Sequence, residues 1–183
     1  MKLDGVDGRG TCQFGDLLRA VGRGETLFVP LLVETVPPEV TERTGVTGGQ
    51  FVTGASTGID TPGNWLAGLS AELGTCVTIL LGPNRPFAAP ETALTIGRAD
   101  GMDIQLPSHR VSKRHASLMV RSLKRTYAVI DHHSKNGTYI NGERIPAETE
   151  IPVWAGAYVT FADAVYLFLD PSTVKRIAQV SND

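Results

Sequence analysis

From residue 75 onward the apolar positions of this chain fall into short runs separated by turn-forming residues: 77–81, 94–96, 103–106, 115–121, 126–131, 138–140, 157–161 and 164–169. In the run 115–121, Ala116, Leu118 and Val120 alternate with His115, Ser117 and Met119. That period of two turns one set inward on a strand. The run 165–169 is apolar throughout, as expected of a strand covered on both faces. Many short strands joined by polar turns predict a mainly β fold, a β-sandwich over about residues 75–170. Pro83, Pro86 and Pro90 predict a long loop over 82–93. After Pro171, residues 172–180 place Val174, Ile177 and Ala178 on one helical face, a short helix capping the sandwich. Trp154 and Tyr158 are expected in core or rim packing.

The period differs in the first 74 residues, which read as a mixed, partly helical extension of unknown role. Phe14, Leu17, Leu18 and Val21 recur at helical spacing before Gly22, and Thr61-Pro62 opens a second helical pattern that runs to Leu73 ahead of Gly74. Residues 27–33 are apolar enough for a strand or a buried extended segment. Between 34 and 60, Thr35, Thr41, Thr44, Thr47, Thr53 and Thr57 lie among glycines and prolines, and Thr61 follows, a composition that predicts a flexible loop or linker. The boundary also divides charge. Residues 1–74 carry five basic and nine acidic side chains, and residues 75–183 carry twelve and ten.

The net charge of -2 gives no reason to expect nucleic-acid binding. No apolar run approaches the roughly 20 residues that span a bilayer, and the start Met1-Lys2-Leu3-Asp4 does not open a signal peptide. Two unclustered cysteines, Cys12 and Cys76, suit a reducing compartment, so a cytoplasmic location without membrane contact is expected. His109, His115, His132 and His133 lie in one region, yet the cysteines are far from them and no metal-ligand spacing is present; no cofactor is expected. There is no nucleophile elbow, Walker A loop or His-Glu-x-x-His helix. Ser112 and His115 are three residues apart without an orienting acid in the same segment, so an enzyme is not expected.

Binding chemistry is better represented. Seven basic residues between Arg98 and Arg125 face only Asp100 and Asp103. Arg98 follows a strand-like run and Gly97, where a planar guanidinium presents paired donors to a tetrahedral oxyanion. Ser112 adds a hydroxyl, and Lys113 and Arg114 add charge beside it. Asn136 has both a donor and an acceptor and suits a grip on an extended peptide backbone. Asn141-Gly142 reads as the turn of a hairpin between 138–140 and 143–145.

The ordered set Thr95-Ile96-Gly97-Arg98, Ser112-Lys113-Arg114-His115, Ser134-Lys135-Asn136-Gly137-Thr138 and Asn141-Gly142 resembles the forkhead-associated (FHA) domain family, a reader of phosphothreonine. The resemblance implies a β-sandwich whose loops carry Arg98 and Ser112 on the phosphate and Asn136 on the ligand main chain. It implies a bracing role for His115 and loop roles for Gly97, Lys135, Gly137, Asn141 and Gly142. Lys113, a further phosphate contact with Arg114, falls where the family varies. The implied partner is a phosphothreonine protein in Ser/Thr kinase signalling, a kinase or its substrate. The threonines of 34–60 would offer an intramolecular ligand once phosphorylated. The compact two-part layout resembles bacterial signalling proteins. The rival expectation is a scaffold that kept the sandwich but binds without phosphate, through the sandwich or the N-terminal part.

Overall fold

The computed structural model describes residues 11–27, 29–35, 73–81, 91–121 and 123–180. Most of the threonine-rich segment, all but Leu73 of the second helical pattern and most of the proline-rich loop lie outside the described residues.

Two sheets face each other. The larger has seven strands in the order β1 (Thr11–Gln13), β3 (Val77–Leu80), β2 (Leu31–Glu34), β12 (Ala164–Leu169), β11 (Tyr158–Phe161), β8 (Thr138–Ile140), β9 (Glu143–Arg144). The smaller has five, β10 (Ile151–Val153), β7 (Thr126–Asp131), β6 (Ala116–Arg121), β4 (Thr92–Gly97) and β5 (Ile104–Gln105). Neighbours are antiparallel except β4 and β5. Between the sheets, Leu94, Ile96, Leu118, Val120 and Val129 meet Leu32, Ile140, Val159, Phe161 and Phe168 in one core. Each fully buried side chain of this size contributes about 1.5–3 kcal/mol.

The sandwich is the expected mainly β fold, and the N-terminal residues enter it directly. β2 pairs with β12 on one side (Val33 opposite Leu167) and with β3 on the other (Leu32 opposite Ile79). Leu31, Leu32 and Val33 are all buried because this sheet is covered on both faces: Leu32 points into the sandwich, Leu31 and Val33 into a second core. That second core joins the outer face of the large sheet to two helices, α1 (Phe14–Gly22) and α2 (Pro171–Val180). α1 supplies Phe14, Leu17 and Leu18, the periodic residues of the sequence, and α2 supplies Val174, Ile177 and Ala178. The apolar run 165–169 follows the same logic, with Phe168 in the sandwich core and Leu167 and Leu169 under the helices.

Asp170 starts α2 by accepting the Thr173 N–H on its Oδ1 (2.9 Å). Burial pushes the Asp170 carboxyl up, but hydrogen bonds from Ser172 and Thr173 outweigh it and hold the group below the usual carboxylate range. Trp154 departs from the packing expected of it: it stands 55% exposed in the turn after β10, whereas Tyr158 packs against the second core. Among the described residues no helix is long and apolar enough to cross a membrane.

Candidate functional site

One end of the sandwich gathers the end of β4, the segment leading into β6 and the loop between β7 and β8. Backbone hydrogen bonds clamp the first two: the Arg98 N–H donates to Ser112 O (2.9 Å) and the Ala99 N–H to Lys113 O (3.1 Å). The approach is close enough to require glycine at position 97, because a Cβ there would lie 2.2 Å from the Lys113 carbonyl oxygen.

His115 ties the clamp to the third segment. It is fully buried. Its Nδ1 accepts the Ser112 N–H (3.0 Å), so the ring proton resides on Nε2, which donates to Gly137 O (3.2 Å). Burial lowers the His115 pKa, while the Gly137 hydrogen bond and the Asp131 charge act the other way without overcoming it. A neutral imidazole therefore spans two binding loops.

Asp131 organises the third segment from beneath. Its carboxylate accepts the Ser134 N–H (3.0 Å), the Ser134 hydroxyl and the Thr138 hydroxyl (2.6 Å), all three residues being buried. Burial would raise this carboxyl, but those hydrogen bonds from Ser134 and Thr138 hold it below its ordinary value. The loop is thereby fixed with Lys135 and Asn136 outward. The Lys135 N–H donates to Ser112 Oγ (3.1 Å), which leaves the Ser112 hydroxyl proton available to an incoming acceptor. Asn136 Nδ2 donates to Arg110 O (2.7 Å). Gly137 has φ +82°, the left-handed conformation that favours glycine.

These residues line an open cavity of about 550 Å³ bounded by Arg98, His109, Arg110, Val111, Ser112, Lys113, Lys135 and Asn136. Arg98 Nε donates to Val111 O (3.2 Å), and among the described residues its two terminal nitrogens make no hydrogen bond, so they remain available as paired donors. Among the described residues no carboxylate lines the cavity. Asp163 lies 3.7 Å from Nε of the lining residue Arg110.

The structure thus brings together Arg98, Ser112, Lys113, Lys135 and Asn136 around one cavity and sets Gly97, His115 and Gly137 behind it. Arg114 is exposed and does not line the cavity. Asn141 and Gly142 turn the β8–β9 hairpin with φ 50° and 80°, as the Asn-Gly pair predicts. Asn141 also accepts the Tyr158 N–H on Oδ1 (2.9 Å), stitching that turn to β11. Sequence reasoning did not single out His109, Arg110 and Val111 as site residues; the signal available was their place just ahead of Ser112. The other histidines are dispersed. His132 links Ser117 Oγ (2.7 Å) to Glu148 Oε1 (3.0 Å), a serine–histidine–acid chain whose serine lies mid-strand at 6% exposure, so the chain fastens the Glu148 loop to β6.

Residues 94–162 match the family model of the FHA domain. This segment is an FHA domain. Every cavity-lining residue belongs to the matched segment, whereas β1, β2, β3 and both helices lie outside it. Over 108 residues, the chain is 31% identical to an ABC transporter ATP-binding/permease protein of Mycobacterium tuberculosis; the match covers 58% of this chain and 12% of that protein. Similar solved structures include the FHA domain of CT664 from Chlamydia trachomatis (24% identity, 43% of this chain and 77% of that one, TM-score 0.40). Mycobacterium tuberculosis EmbR, in complex with a low-affinity phosphopeptide, is similar at 28% identity over 49% of this chain and 22% of its own (TM-score 0.39).

Proposed function

We propose that this protein is a phosphothreonine-dependent protein-interaction module in Ser/Thr kinase signalling. The observation that carries the reading is the cavity itself. Arg98 and Lys113 line it with the Ser112 hydroxyl, and among the described residues no carboxylate does, a donor set for a dianionic phosphate. In this reading Arg98 and Ser112 take the phosphate oxygens and Lys113 supplements their charge, with Arg114 adding to the surrounding field. Asn136 holds the ligand main chain through the part of its amide not engaged by Arg110. The partner is a phosphothreonine protein, a kinase or a kinase substrate, and the threonines of 34–60 are its intramolecular counterpart. FHA family membership adds support for an interaction role in place of catalysis.

The test is fluorescence anisotropy of the full chain with phosphothreonine peptides, their unphosphorylated forms and the Arg98→Ala variant. Binding that requires the phosphate and disappears in Arg98→Ala is expected, since a charge-assisted bidentate contact exceeds the roughly 1 kcal/mol of a neutral hydrogen bond. Phosphate-independent binding would favour the scaffold reading.

A further inference from the structure

The cavity holds more positive charge than one phosphate uses. Arg98, Arg110, Lys113 and Lys135 line it, and His109 adds a ring nitrogen. A phosphate dianion contributes about -1.5 to -2 near neutral pH, which leaves about two of these four cations unmatched. Among the described residues neither Lys113 nor Lys135 has an ion-pair partner; Arg110 has only the exposed Asp163, a contact worth little in water. The surplus is also placed. Arg110 and Lys135 adjoin Asn136, the first by its backbone carbonyl, which accepts from Asn136 Nδ2, and the second by adjacency in the chain. Both residues also line the cavity, so positive charge adjoins Asn136, the residue proposed to hold the ligand backbone. Of the seven basic residues between Arg98 and Arg125, Arg98, Arg110 and Lys113 line the cavity; Arg114 does not, and Arg121 is engaged by Glu91 and Glu150 at the far end of β6. The folded site has thus selected four cations and excluded acids.

We infer that this site takes phosphothreonine segments carrying additional negative charge next to the phosphothreonine, with Arg110 and Lys135 as the residues that read it. The inference rests on the phosphothreonine reading above and adds the class of ligand. The shared chemistry is an anionic flank, supplied either by Asp and Glu or by a second phosphorylated residue.

The experiment uses the full chain and three synthetic phosphothreonine peptides of equal length. One has neutral flanks, one has Asp or Glu at the flanking positions, and one carries a second phosphothreonine there. Affinities are measured at low and at physiological ionic strength, for the native protein and for Arg110→Gln and Lys135→Gln. Each added flanking charge is expected to tighten binding about 2- to 5-fold at low salt, the range of exposed ion pairs. The advantage should shrink on adding salt. In either variant the ratio of acidic-flank to neutral-flank affinity should fall toward one, a change that general loss of folding would not produce. The arm that gains more, carboxylate or second phosphate, identifies the source of the charge. Phosphate-dependent binding with equal affinity for neutral and anionic flanks would overturn this inference and leave the phosphothreonine reading standing. Absence of phosphate-dependent binding to all three peptides would overturn both.

Discussion

His115 holds the site through two ring nitrogens, one accepting and one donating, and a second proton on the ring would face the Ser112 N–H. Because burial lowers its pKa from 6.5, the unfolded chain binds a proton below that value that the folded chain resists. Stability is therefore full above about pH 6.5 and declines as pH falls toward the folded pKa. Thermal melts from neutral to mildly acid pH should record this decline, and His115→Gln should flatten it. Asp131 acts in a separate window. Its folded pKa lies below 3.8, so its contribution persists above that value and is lost only as pH falls through the folded pKa. Gly97→Ala places a methyl against the backbone carbonyl of Lys113 and should cost about 2 kcal/mol or more, measured by denaturant unfolding. At this scale Arg98, Ser112 and Asn136 were legible as candidates from residue type and spacing, and the fold brings all three to one cavity. Arg110 was not, because one of its roles is played by a backbone carbonyl that any residue possesses.

Strands with one face in the core announce themselves by alternation, and β6 was readable for that reason. β2 was legible only as an apolar stretch, since a strand buried on both faces has lost the alternation and nothing local names its neighbours. β1 is shorter still, three residues against β3, and carries no periodic signal. In β3 a polar residue shares the face of Leu80 and lies opposite Val33, both of the second core: Thr78 is fully buried and its hydroxyl finds no partner among the described residues. Replacing it by the near-isosteric valine removes an unsatisfied group. Thr78→Val should therefore raise stability by about 1 kcal/mol, read as a higher denaturant midpoint with an unchanged slope.

At the scale of the molecule, the loops that line the cavity and the N-terminal strands sit on one scaffold. A protein lacking residues 1–74 loses β2 from between β12 and β3, along with the α1 side of the second core. Leu167 and Leu169 would then face water, and two strand edges would lie open. Expression of residues 75–183 is expected to give an aggregation-prone product that binds a hydrophobic dye, whereas the full chain should not. A well-dispersed amide spectrum from the fragment would count against this. The position of β2 also has a consequence in time. During synthesis Leu31–Glu34 leaves the ribosome well before its partner Ala164–Leu169 is made. The middle of the large sheet can close only after Ala164–Leu169 has been made, so until then an apolar strand must be kept from other chains, and a nascent-chain chaperone has most to protect there.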